Sequence, residues 1–322
     1  MRTFLLGVML AVLPLLALAS EEDWQWLQRV TDAGRQQPLS GTYLHQMNGV
    51  LETFHIVRSG GAGMVIERRV ALDGLPREII RNGDALTCYA PNQKSLMAAK
   101  ISSMRLFPVV MSDDISDVSR SYTLLRQERD RVAQRDCNWL ELKPRDPQRY
   151  IERICADLGT ALPLKMMTLT PRGDVVEQYT FTEVEFSPPR DKNQFKPQFK
   201  LSSQLRNVAQ ETVLAAEAAE SRIEVSGMPV GFRLIRSVQR SLSGAGGKPV
   251  HHMVYSDGLV MLSLFVEPEA SSDAQEAHGM NLHGAINMAT MGQGEHLLTV
   301  VGDMPESSLV LLIRSLRVTS RP

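Results

Sequence analysis

The chain has 322 residues, enough for two domains, and an apolar fraction of 43% that suits a water-soluble globular fold. Its formal net charge is −1, with 35 basic against 36 acidic residues, so no electrostatic case exists for nucleic acid. Three cysteines are too few for a disulfide-built scaffold. Residues 1–19 carry one charge, Arg2, then the apolar run Phe4 to Leu18 and the small-x-small ending Ala17-Leu18-Ala19. That is the pattern of a secretory signal peptide cut before Ser20. No later stretch reaches the length of a membrane span.

Glu21 to Arg35 should form an amphipathic helix, with Trp24, Leu27 and Val30 at helical spacing and Trp26 widening the stripe. From Thr42 the period changes to two. TYLHQMNGVLETFHIV reads as a hairpin turning at Asn48-Gly49, and MVIERRVAL, PREIIR and ALTCYA follow with Asp73-Gly74 and Asn82-Gly83-Asp84 as turns. The segment Lys94 to Ser119 is apolar but irregular, broken by Pro108. Five more strands then run from SYTLLRQERD to VVEQYTFTEVEF. About ten antiparallel strands with one helix tend to curl into a barrel or half-barrel with a concave apolar face.

Within the strand pair DCNWLELKPRDPQRYIERICAD, Cys137 and Cys155 are equidistant from Asp146. A symmetric hairpin would set them face to face for a disulfide in an exported protein, whereas a one-residue slip would put them on opposite faces. Cys88 is left as a small apolar residue.

Residues 188–221 change character. SPPRDKNQFKPQFK crowds Pro188, Pro189 and Pro197 among charges and reads as a solvated linker, and the Ala/Glu-rich stretch after it has no aromatic anchor. This divides the mature chain into 20–187 and 222–322. A long surface loop within one domain is the alternative, and loops of that length are uncommon. Past the junction, alternating strands lead to a closing helix that starts near Pro305 and buries Leu309, Leu312, Ile313 and Leu316.

No catalytic signature is present: no G-x-S-x-G, no H-E-x-x-H, no phosphate loop. His251 and His252 are adjacent in an extended segment and so face opposite ways. Met280, His283, Met288 and Met291 are soft ligands, but a Met-rich packed hairpin explains them better. The reading is therefore not an enzyme, with no metal and no cofactor. Arg236 and Arg240 share a face of one strand while Arg233 points away, a placement suited to an acidic partner or to an ordinary exposed face.

The blocks VALDGLPREIIRNGDALTCYAP, LPLKMMTLTPRGDVVEQYTFTEVEF, MPVGFRLIRS, YSDGLVMLSLFVEP and LTVVGDMPESSLVLLI resemble, in order, those of the RseB/MucB family. That resemblance implies a mainly β protein: a large unclosed antiparallel barrel similar to the LolA and LolB lipoprotein carriers, and a smaller C-terminal α+β domain. It also implies a periplasmic negative regulator of the envelope-stress sigma factor. Such a protein binds the periplasmic part of a single-pass anti-sigma factor of RseA/MucA type, shields it from proteolysis and releases it on sensing lipid or a mislocalised lipoprotein. On that footing Phe54, Ile56, Met64, Ile66, Val70, Leu72 and Tyr89, with Leu106 and Phe107 of the insert, are expected to line an acyl pocket. Arg233, Arg236, Arg240 and Tyr255 are expected to meet the partner. A lipid or lipoprotein carrier is the competing reading, and self-association stays open.

Overall fold

The computed structural model describes residues 20–60, 64–83, 85–89, 106–111, 115–187, 191–199, 223–241, 249–268 and 276–320. The expected leader, most of the 188–221 junction, Met104 and the 269–275 stretch lie outside the described residues. Helix α1 (Glu21–Gln36) starts at a capping box in which Ser20 and Asp23 satisfy each other's backbone N–H groups. Of its predicted apolar stripe, Leu27 and Val30, with Trp26 beside them, are buried in the first core, and Trp24 packs half-buried against it.

Ten strands follow: β1 (Leu39–Met47), β2 (Val50–Arg58), β3 (Ile66–Ala71), β4 (Glu78–Asn82), β5 (Ala85–Tyr89), β6 (Tyr122–Val132), β7 (Arg135–Pro144), β8 (Ile151–Asp157), β9 (Pro163–Leu169) and β10 (Val175–Glu185). Short helix α2 (Ile115–Ser121) leads into β6. All pairings are antiparallel in the order β5-β4-β3-β2-β1-β10-β9-β8-β7-β6. The sheet thus joins its first strand to its last and leaves the gap between β5 and β6. This is the expected large unclosed sheet.

The second domain is smaller. β12 (Arg233–Ser241), β13 (Pro249–Ser256), β14 (Met261–Pro268), β15 (His278–His283), β16 (Ile286–Gln293) and β17 (His296–Gly302) form a six-stranded antiparallel sheet ordered β12-β13-β14-β17-β16-β15. Helix α3 (Glu306–Ser315) lies on it through Leu309, Leu312 and Ile313. The ends of this domain meet in a ribbon of β11 (Ile223–Ser226) and β18 (Arg317–Ser320). Each sheet has its own buried apolar cluster.

Two details refine the sequence reading. The stretch 191–199 is largely exposed, yet its backbone is pinned to the outer face of the first sheet, where the Glu78 carboxylate accepts the Gln198 and Phe199 amides at 2.6 Å and Arg68 donates to the Gln194 carbonyl. And the register sets Cys137 opposite Asp157 and Cys155 opposite Trp139, two residues off the symmetric hairpin. A shift of two keeps both thiols on one face, and a disulfide joins them diagonally with Cα atoms 5.4 Å apart. Closing a loop of 18 residues should contribute about 3 kcal/mol in the chain-entropy account. Thermal unfolding with and without reductant, or of Cys137→Ala/Cys155→Ala, is expected to show that loss.

Candidate functional site

The concave face of the first sheet is filled by its own residues. Tyr43, Phe54, Tyr179 and Phe181 converge there, and the insert between β5 and β6 delivers Phe107 into their midst. Phe107 lies 5.1 Å from Tyr43, 5.3 Å from Tyr179 in a stacked pair, and 5.0 Å from Phe181. The insert is fastened by its carbonyls: Arg69 donates to Leu106 O at 3.1 Å and Arg35 to Met111 O at 2.5 Å. Gly34 of α1 lies so near the Pro108 carbonyl that a Cβ would collide with it. Burial raises the Tyr43 hydroxyl to a pKa of about 12, so the ring stays neutral.

Beneath α1 the concave face is ionic. Register places Ile56 opposite Arg69 and Phe54 opposite Ala71, so Glu67 and Arg69 share the Phe54/Ile56 side. Glu67 is held between Arg58 and Arg69, both at 2.5 Å, and Arg58 also donates to the Gly34 carbonyl. Desolvation works against the Glu67 charge, but the guanidiniums of Arg58, Arg69 and Arg81 outweigh it and keep the carboxyl below its ordinary range. Met64, Ile66, Val70 and Leu72 do fall on one side, as their alternation requires, but it is the opposite side. Met64 and Leu72 are 65% and 56% exposed. Tyr89 pairs with Glu78 and shares that outer side with Val70. Of the predicted pocket, only Phe54, Ile56 and Phe107 are buried in the first core, with Leu106 fastened beside them.

The far end of the same face meets the second domain. His45 Nε2 lies 2.6 Å from Glu177 Oε1, and the Tyr179 hydroxyl donates to the same oxygen at 2.6 Å. Glu177 Oε2 accepts the Ala285 amide at 3.1 Å from the β15–β16 turn. That turn approaches through Gly284, whose positive φ of 56° and lack of Cβ admit the carboxylate. Around this point Asn287 donates to the Tyr150 hydroxyl and Asn48 to Asn281.

Burial would raise the Glu177 pKa, but the His45 hydrogen bond and charge, with the Tyr179 and Ala285 donors, pull it from 4.5 down to about 2. A depressed carboxyl stabilises the fold above its unfolded pKa, and that contribution fades as pH falls from about 4.5 toward about 2. Glu177→Gln is expected to flatten this acid limb, read as urea midpoints at pH 5 and pH 3.

A second ionic bolt closes the seam. Arg149, in the β7–β8 turn, donates to Asp257 at 2.7 Å and to the Val230 carbonyl at 2.8 Å, and it also pairs with Asp146. Arg233 is drawn to the seam as well, pairing with Asp117 of α2 at 2.5 Å. A bulge between Leu234 and Arg236 resets the alternation, so Arg233 pairs with Ser256 and Arg236 with Val254 on one shared side. Arg233 therefore does not point away from Arg236. Tyr255 is packed in the second core, and the little surface it keeps faces a groove beside β12. The Arg240 side chain lies outside the described residues. His252 stacks on Phe265, Met280 pairs across strands with Met288, and no acidic, His or Cys cluster able to hold a metal occurs among the described residues.

Residues 22–199 match the model of the MucB/RseB N-terminal domain, and residues 217–317 that of the MucB/RseB C-terminal domain. The chain belongs to the MucB/RseB family. A relative named sigma factor AlgU regulatory protein MucB, from Pseudomonas aeruginosa, is 31% identical over 97% of this chain and 95% of its own. The sigma-E factor regulatory protein RseB of Escherichia coli is 23% identical over 83% of this chain and 87% of its own. Among solved structures, the Pseudomonas aeruginosa MucA/MucB complex has a chain that superposes with a TM-score of 0.73 at 25% identity, covering 94% of this chain and 99% of that one. A crystal structure of MucB gives 0.64 at 26%, covering 93% and 98%. Sequence reasoning named Phe107 but not the aromatic cluster that buries it, and it missed the Glu177 and Arg149 seams. The two seams join residues 108 positions apart and leave no local pattern.

Proposed function

We propose that this protein is a periplasmic regulator that holds the periplasmic segment of a membrane anti-sigma factor, shields it from regulated proteolysis, and lets it go when an acyl chain enters the first domain. The observation that carries the reading is the match of both domains, end to end, to a family with a MucA/MucB complex of known structure. The leader-like Ala17-Leu18-Ala19 ending supports an exported protein.

The interior supports a lipid-triggered release. An acyl chain entering the concave face meets Phe107 first and has to displace it. Phe107 stacks on Tyr179, Tyr179 donates to Glu177, and Glu177 holds the Ala285 amide of the second domain. Three contacts thus lead from the ligand to the domain seam. Lipid and partner are then negatively coupled, and the coupling acts equally in both directions.

The test is binding of the mature protein to the purified periplasmic region of the anti-sigma factor of the same genome, with and without a palmitoylated lipopeptide. Tight binding that the lipopeptide weakens is the expected result. Lipopeptide binding with no partner binding would instead support a carrier.

A further inference from the structure

β12 is an outer strand of the second sheet, and among the described residues no strand pairs with its other flank. Exposed edges of this kind are usually blunted by charge, proline or cover, because their free N–H and C=O groups template a further strand. Here the edge carries Leu234 and Ile235, each about half exposed, and is preceded by Val230, 85% exposed. Beside it opens a groove of about 400 Å³ lined by Ile223, Val225, Leu234, Met253 and Tyr255, with Glu224 among its polar lining. Leu234 pairs with Tyr255 and Ser237 with Met253, so these residues face the groove side. Arg236 pairs with Val254, exposed on the reverse side, with no ion pair among the described residues.

A strand added to β12 would therefore present apolar side chains to the groove and, at alternate positions, carboxylates to Arg236. A second copy of the chain fits poorly. Antiparallel self-pairing of β12 about its middle would set the exposed Arg236 of one copy close to that of the other, and like charges across a strand pair repel. We infer that β12 and the adjoining groove take up an extended segment of a protein partner, apolar and acidic in alternation, by strand addition. The inference deepens the anti-sigma reading and rests on it.

Amide hydrogen exchange on the full mature chain tests it, with the purified periplasmic region of the anti-sigma factor as probe. Binding is expected to slow exchange across residues 233–241 by tenfold or more. Leu234→Asp and Arg236→Glu, both at exposed positions that leave the thermal melt in place, are each expected to weaken binding about tenfold. Arg314→Glu, exposed on α3, is the unaffected control. Binding without protection of β12, and unchanged by both variants, overturns the docking edge and leaves the partner reading standing. Absence of binding by the unsubstituted protein overturns the partner reading itself. A dimer of the protein alone that Leu234→Asp dissolves would assign the edge to a second copy and overturn the inference.

Discussion

Arg149→Ala is expected to destabilise the protein by about 3–5 kcal/mol and to uncouple its two domains. The guanidinium and the Asp257 carboxylate are 1% and 0% exposed, and the pair has no water to replace a lost partner. Arg149 also packs over the Phe232 ring at 4.8 Å and donates to Val230, so one side chain holds the start of β12 and the β13–β14 turn together. Asp257 in turn accepts the Leu259 and Val260 amides through its other oxygen. Removing the arginine leaves that carboxylate buried, hydrogen-bonded to two amides and without a counter-charge. Adding Asp257→Asn should recover part of the loss, because asparagine keeps an acceptor for the two amides and carries no charge. Urea unfolding followed at both domains reads this directly: one shared transition in the unsubstituted protein, two separated ones in Arg149→Ala. A cost below about 1 kcal/mol with coincident transitions would mean that the pair behaves as a solvated surface bridge.

What the sequence made legible was what short-range patterns encode. Ten strands, the two capping helices and the Asn48-Gly49 turn, where both residues take positive φ, follow from alternation and turn chemistry alone. Facing was harder. In β3 the apolar positions do alternate, and the usual inference sends them inward. The inward positions instead hold Glu67 and Arg69, which are tolerable only because Arg58 from the neighbouring strand and backbone carbonyls of α1 and the insert complete them. That complement comes from other segments, and the tract ERR read by itself looks like a solvated face. Counting parity failed in β12 for a different reason. One bulge residue inverts every later position, and nothing in RLIRSVQR announces it. The same fact moved Arg233 onto the Arg236 side. The cysteine pair survived a misjudged register only because the error was two residues, not one.

Phe107→Ala separates two ways of reading the concave face. If Phe107 were simply part of an acyl-chain pocket, its removal would weaken lipid binding by taking away contact area. The packing argues the reverse. Its ring is 1% exposed and already occupies the aromatic cluster that an acyl chain would enter, so a ligand has to expel it. Truncating a buried phenylalanine typically costs 3–5 kcal/mol, part of it as an unfilled cavity. The variant should accordingly melt earlier than the parent. An acyl chain then fills the void without displacing anything, so the cost of expulsion disappears from its binding. If about 3 kcal/mol of that cost is relieved, affinity for a palmitoylated lipopeptide rises by about two decades, since each 1.4 kcal/mol is tenfold. Partner release should shift to correspondingly lower lipopeptide concentrations, through the Tyr179–Glu177–Ala285 contacts that Phe107 supports. Titration of lipopeptide against the preformed complex of each protein gives both numbers. Weaker lipopeptide binding by Phe107→Ala would show that the ring is a wall of the pocket and not its plug, and the release route would then have to start elsewhere on the face.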